Sequence, residues 1–353
     1  MSVDKIKILI IDDSRSVQKM LEYVFAQSDE LEVIGVANDA YEAVDIMRKV
    51  KPNVILLDVR MPKMDGLTFL KKLMNQHPIP VIVFSSLITK NPEIGVKALE
   101  YGAVEVIDKP VIDYSNMTTT LVQEEKLLQV VHAVGREQIP SRSIYQTSVP
   151  KTPMPLSQVR PDTVVCIGAS AGGTQAIKHL LSQLPDNFPP IVVVQHMPVE
   201  FTGQYARYLD SVCPMEVAEA VDQETLRSGK VYISPGDRHL TVEKYGGSYR
   251  ARLFDGPKVS GHKPSVDRLF QSVTGDWAKY VIGVILTGMG KDGAIGMLGM
   301  HTAGSHTIAQ DEDSCVVFGM PKEAIALQAV DQVCPLDQIP QVLMKLVMNK
   351  TKN

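Results

Sequence analysis

VVCIGASAGGTQAIKHLL, Val164–Leu181, decides how this chain is read. Its first half is an apolar, β-branched run expected as a buried strand, its last part has helical spacing, and Gly-Ala-Ser-Ala-Gly-Gly falls at the turn between them. Three roles for Ser170 compete. Glycines ahead of a helix can cradle a phosphate, although the pattern is neither G-x-G-x-x-G nor a Walker loop with its lysine. A serine before a helix often caps it or shapes the turn. Gly168-Ala169-Ser170-Ala171-Gly172 also satisfies G-x-S-x-G between strand and helix, the setting in which a sharp turn exposes a nucleophilic hydroxyl. That third role needs a base and a group to orient it, because a serine hydroxyl alone is a weak nucleophile at neutral pH.

Both are available further along. Strands are expected at Val164–Ile167, Ile191–Gln195, Lys230–Ile233 and Val281–Leu286, with helices in several of the gaps, which implies a parallel sheet. VVVQHMP puts His196 at the carboxyl end of the strand after Ser170, and VIGVILTGMGKDG ends a strand with Asp292 between glycines. Taken singly, His196 reads as a strand-end histidine bonded to backbone and Asp292 as an Asp-Gly turn. Together, three strand ends in one domain deliver a serine, a histidine and an aspartate, and triads are recognised by geometry rather than chain order. Surface or structural roles are expected for His77, His132, His179, His301 and His306.

The first part of the chain has its own α/β alternation. Strand-like runs at Ile6–Ile11, Val33–Val36, Val54–Leu57, Val81–Phe84 and Val104–Ile107 alternate with amphipathic helices, the last around Thr118–Ala133. A doubly wound, five-stranded parallel sheet follows. At its strand ends stand Asp12, Asp13, Asp58, Ser85, Ser86 and Lys109. Three converging carboxylates call for a cation, and a hard divalent ion such as magnesium suits them.

Residues 137–161 are rich in proline and serine without apolar periodicity, so they read as a linker. The expected organisation is therefore a first domain at 1–136, the linker, and a second domain at 162–353. The 353 residues are 44% hydrophobic and 22% charged with a net charge of -4, a balance that offers no nucleic-acid-tracking surface and no polybasic membrane anchor. There is no signal-peptide pattern and no apolar run of membrane-spanning length, so no membrane insertion is expected. Cys166, Cys213, Cys315 and Cys334 are dispersed and form no Cys-x-x-Cys pair, which suits a reducing cytoplasm.

IIDDS, LLDVRMPKMDG, FSS and DKP together resemble the receiver domain of two-component response regulators, a flavodoxin-like fold. The resemblance implies that Asp58 accepts a phosphoryl group from a histidine kinase. It further implies that Asp12, Asp13, Asp58 and the backbone carbonyl of Arg60 hold Mg2+, while Ser85 and Lys109 contact the phosphoryl group. Pro110 could set a cis bond that aims Lys109 inward. Val106 stands where such domains often carry an aromatic switch residue, so the signal is expected to travel by loop and helix movement.

IGASAGG, VQHMP, HKPSVDRLF, ILTGMGKDG and AQDEDSCVVFGMPKEAI resemble the catalytic domain of chemotaxis protein-glutamate methylesterases of the CheB type, so that the resemblance spans essentially the whole chain. It implies a Ser170, His196 and Asp292 triad with an oxyanion contact at the Met289 backbone, and no cofactor for the esterase. Implied activities are hydrolysis of glutamate methyl esters and deamidation of glutamines on the cytoplasmic helical region of chemoreceptors. In that family the unphosphorylated receiver covers the esterase cleft. Ala171 replaces a common threonine and Lys291 a frequent asparagine. The rival reading is a phosphorylation-controlled interaction protein with an inactive triad.

Overall fold

A computed structural model describes residues 5–88, 90–109, 127–135 and 162–349. The chain divides into two compact units, Met1–Ser141 and Arg142–Asn353. The expected linker at 137–161, Pro110 and the first part of the helix expected at Thr118–Ala133 lie outside the described residues, whereas residues 127–135 are helical.

In the first unit, β1 (Ile6–Ile11), β2 (Leu31–Ala37), β3 (Val54–Leu57), β4 (Val81–Phe84) and β5 (Glu105–Ile107) pair in parallel in the order β2-β1-β3-β4-β5. All residues of β3 and β4 are buried, as expected for strands covered on both faces. Helices α1 (Arg15–Phe25), α2 (Ala40–Met47), α3 (Gly66–Gln76) and α4 (Pro92–Glu100) fill the crossovers. Asp39 and Asp65 start α2 and α3 by accepting backbone N–H bonds from Tyr41 and Glu42, and from Thr68. The sheet grows in opposite directions from β1 and β3, which opens a crevice beyond their carboxyl ends.

The second unit repeats this logic on a larger sheet. Its strands are β6 (Val164–Ala169), β7 (Ile191–Gln195), β8 (Glu216–Glu219), β9 (Lys230–Ile233), β12 (Val281–Ile285), β13 (His306–Gln310) and β14 (Gln332–Cys334). They pair in parallel in the order β14-β13-β12-β6-β7-β9-β8, while β10 (His239–Tyr245) and β11 (Ser248–Phe254) form a separate antiparallel hairpin. Helix α5 (Gly173–Leu181) follows β6, α6 (Val199–Val212) follows β7, α7 (Val266–Gln271) follows the hairpin and α8 (Ala294–Thr302) follows β12.

The core of this unit joins strand residues Val164, Cys166, Val192 and Ile285 to Val266, Leu269, Phe270, Met297 and Met300 of α7 and α8. Each such large side chain stabilises the fold by roughly 1.5–3 kcal/mol. Gly168 lets α7 approach the sheet, since a Cβ there would fall 2.1 Å from Val266 Cγ1. Growth outward from β6 and β12 puts the switch point between them, so residues following β6, β7 and β12 share one crevice. All four cysteines are free thiols. Among the described residues, no helix is long and apolar enough to cross a membrane.

Candidate active site

The turn after β6 is fixed from several sides. Ser170 N–H donates to the Thr287 carbonyl at 3.0 Å, and the Ser170 carbonyl accepts from Gly173 N–H at 2.8 Å and from Gln195 Nε2 at 2.9 Å. Gly172 has φ 75° and a Cβ there would lie 2.6 Å from Val316 Cβ, so both backbone and space exclude a side chain. Gly172, not Ser170, is the cap of α5, and no side chain caps that helix. The capping role for Ser170 therefore falls away. Its hydroxyl makes no hydrogen bond among the described residues, and the residue is half-buried. Thr287 braces the turn: its hydroxyl donates to the Ala171 carbonyl at 3.0 Å and accepts from Val317 N–H at 2.9 Å.

His196 follows β7 directly, and its N–H donates to the Ala169 carbonyl at 3.1 Å, next to Ser170. Across the switch point, His196 Nε2 lies 2.8 Å from Asp292 Oδ2 with both side chains buried. A carboxylate accepts only, so Nε2 carries the proton and Nδ1 is left as the basic lone pair. Nδ1 is buried and has no hydrogen-bond partner, so the imidazole is pinned at one nitrogen with the other available as a proton acceptor. Asp292 also accepts from Ser265 Oγ at 2.8 Å, Val266 N–H at 2.7 Å and Asp267 N–H at 3.1 Å. Burial pushes the Asp292 carboxyl up, but the hydrogen bond from His196 and the donors of the 265–267 segment outweigh it and hold the group below its usual range.

The donors to Asp292 belong to HKPSVDRLF, a stretch legible as a motif but not as the clamp it forms. Buried His239 secures it: His239 Nδ1 accepts from Ser265 N–H at 3.2 Å and Nε2 donates to the Pro257 carbonyl at 3.0 Å. Sequence reading also missed Thr287, whose only signal was its position at a strand end. Gly288 packs on the Ser170 turn, where a Cβ would meet Ser170 Cβ at 2.8 Å. Met289 follows it, half-buried, and its N–H makes no hydrogen bond among the described residues. Lys291 is exposed, and Ala171 is buried.

The first unit assembles its predicted groups at the β1 and β3 ends. Lys109 Nζ lies 2.6 Å from Asp12 Oδ2 and 2.7 Å from Asp58 Oδ2, while Val59 N–H donates to Asp58 Oδ1 at 2.7 Å. Carboxylate oxygens of Asp12, Asp13 and Asp58 lie within 4.8 Å of one another. Burial, only partly offset by Lys109, raises the Asp12 carboxyl above its usual value. One lysine thus leaves negative charge in excess, and the all-oxygen donor set fits a hard divalent cation. Ser85 Oγ is buried without a hydrogen-bond partner, and Asp13, Asp58, Arg60, Ser86 and Lys109 line a cavity of about 920 Å³. Val106 is buried on β5.

Residues 165–343 match the model of the CheB methylesterase family, and residues 8–121 that of the response regulator receiver domain. The chain is 45% identical over 350 residues to the protein-glutamate methylesterase/protein-glutamine glutaminase of group 3 operon from Bradyrhizobium diazoefficiens, covering 97% of this chain and 96% of that protein. The chain belongs to the CheB methylesterase family. A second relative, protein-glutamate methylesterase/protein-glutamine glutaminase 3 of Geobacter metallireducens, is 43% identical over 353 residues, covering 97% of this chain and 99% of its own. The crystal structure of the Thermotoga maritima CheB methylesterase catalytic domain superposes with a TM-score of 0.51 at 42% identity, covering 52% of this chain and 98% of that domain. The parallel-sheet fold of the second unit is therefore the CheB catalytic fold.

Proposed function

We propose that this chain is a phosphorylation-activated protein-glutamate methylesterase, with glutamine deamidase activity, acting in chemotaxis adaptation. The observation that carries the reading is the buried His196–Asp292 pair beside a serine whose hydroxyl is released from capping. Ser170 Oγ attacks the γ-carbonyl carbon of a glutamate methyl ester while His196 Nδ1 takes its proton, and Asp292 stabilises the imidazolium through Nε2. The Met289 N–H donates to the oxyanion, a contact typically worth about 3 kcal/mol in the transition state. His196 returns the proton to the departing methoxide, methanol leaves, and water attack on the acyl-enzyme, again with His196 as base, frees glutamate and Ser170. On a glutamine side chain the same steps release ammonia.

In the first unit, Asp58 is the phosphoryl acceptor, served by a chemotaxis histidine kinase. Asp12, Asp13 and Asp58, with the Arg60 carbonyl, would hold Mg2+, which when bound neutralises the charge of the incoming phosphoryl group. Lys109 pairs with the phosphoryl oxygens and the otherwise unpartnered Ser85 hydroxyl donates to them. Substrates on this reading are the cytoplasmic helical regions of methyl-accepting chemoreceptors, and the enzyme acts in the cytoplasm. The domains run 1–136 and 162–353 about a linker.

The test is methanol release from receptor methylated on glutamates. Wild type should release methanol and Ser170→Ala should lose about 10⁴-fold or more, the scale at which removing a triad nucleophile acts. Equal release by both would exclude the serine mechanism.

A further inference from the structure

We propose that His262 is a positioning residue that fixes the ring plane of His196, an inference that rests on the reading of His196 as general base. The two imidazoles lie face to face, with centroids 3.8 Å apart and planes 6° from parallel. His196 makes a single side-chain hydrogen bond, from Nε2 to Asp292, and its Nδ1 has no partner. Tethered at Cγ and bonded at Nε2, the ring keeps a coupled rocking about χ1 and χ2 that tips its plane. Proton abstraction needs Nδ1 aimed at the serine hydroxyl, so a second restraint is required, and the flat face of His262 supplies it.

The chain is shaped to present that face. Val259 and His262 exchange two backbone hydrogen bonds of 2.9 Å across a tight turn, in which Ser260 has φ 51° and Gly261 φ 84°. Positive φ at both central residues is the signature of a type I′ turn, and it is uncommon for a serine. The Ser260 hydroxyl donates to buried Asp267 at 3.2 Å, and Asp267 in turn accepts from Gly296 N–H at 2.7 Å. His262 is thus anchored through its own backbone and through α8, on the same segment whose Ser265, Val266 and Asp267 hold Asp292. One loop sets both the face and the far edge of the base.

The charge pattern agrees. The proton taken from Ser170 is stabilised on His196 by Asp292, which accepts from Nε2 at 2.8 Å. An aromatic face stacked over a ring that takes up a proton is attractive. The contribution proposed for His262 is its stacked face, 3.8 Å from the His196 ring, which a phenylalanine ring would also offer.

The experiment compares full-length wild type, Ser170→Ala, His262→Leu and His262→Phe in kcat and KM for methyl ester hydrolysis. His262→Leu should lower kcat about tenfold to a hundredfold, the cost of a misaimed catalytic group, with KM changed less than about twofold, and His262→Phe should recover most of the loss. Should His262→Leu fail to fold, His262→Gln, which lacks an aromatic face, makes the same comparison with His262→Phe. Wild-type kcat in the non-aromatic variant would overturn the inference. So would an equal loss in both variants with unchanged thermal unfolding, which would assign the role to an imidazole nitrogen. Wild type no faster than Ser170→Ala would instead overturn the underlying reading of the base.

Discussion

Asp12 in the first unit and Asp292 in the second are almost equally buried, at 2% and 1% exposure, and both lie beside a cationic or protonatable partner at a sheet switch point. Their carboxyls nevertheless shift in opposite directions. Asp12 shares one lysine with Asp58 and accepts one backbone N–H, from Ser14, so burial dominates and its carboxyl is raised. Asp292 accepts from His196, Ser265, Val266 and Asp267, and these donors outweigh burial. Depth alone does not set the charge state of a buried acid; the supply of donors does. The first site is left short of positive charge and suits an incoming cation, whereas the second is complete and suits a fixed catalytic task.

Breaking the completed site should have the largest effect. Asp292→Asn sets an amide against a cradle built entirely of donors and removes the group that selects the His196 tautomer. A fall of about 10³–10⁴ in kcat for methanol release is expected. A loss under tenfold would mean that the cradle, and not the charge, does the orienting.

The turn that carries Ser170 gives the next effect. Gly172→Ala forces a Cβ into Val316 at positive φ, and urea unfolding should show a destabilisation of about 1–3 kcal/mol. An unchanged midpoint would contradict the tight turn.

The smallest effect sharpens the contrast in charge. A carboxyl whose folded pKa is raised contributes stability that is full below the ordinary value of 3.8 and is lost as pH rises through the folded pKa. Asp292, with its pKa lowered, contributes above 3.8 and loses that contribution as pH falls through its folded value. Asp12→Asn should therefore raise the calorimetric unfolding temperature of the first unit at neutral pH without divalent cations, by roughly 2–4 °C. The gain should vanish near pH 3, and added magnesium should stabilise wild type more than the variant. Destabilisation by Asp12→Asn at neutral pH would contradict the charge excess.

What was legible in the sequence follows the same physics. Strands buried on both faces, such as Val54–Leu57, Val81–Phe84 and Ile191–Gln195, read as continuous apolar runs with their bounds intact. The edge strands Glu216–Glu219 and Gln332–Cys334 are only four and three residues long and open on a polar residue, and went unread. So did the hairpin strands His239–Tyr245 and Ser248–Phe254, whose outward faces carry Arg and Glu, although Gly246-Gly247 marks the turn between them. Ser170 and His196 could be picked out because each directly follows an apolar strand. Asp292, expected at the end of a strand, instead lies seven residues beyond β12 in the glycine-bracketed loop before α8, and only that bracket marked it. His262 and Ser265 were not legible, since a loop residue that acts on a group 66 and 27 positions away leaves no periodic trace.

The most direct test of the account asks whether the two sites communicate. Methanol release by the full chain would be measured with and without a small phosphodonor and magnesium, in wild type and in Asp58→Asn. A wild-type rate that rises about tenfold, equivalent to about 1.4 kcal/mol in an open–closed equilibrium, with no rise in Asp58→Asn, is the predicted result. Equal stimulation of both would show that the acidic site does not control the esterase.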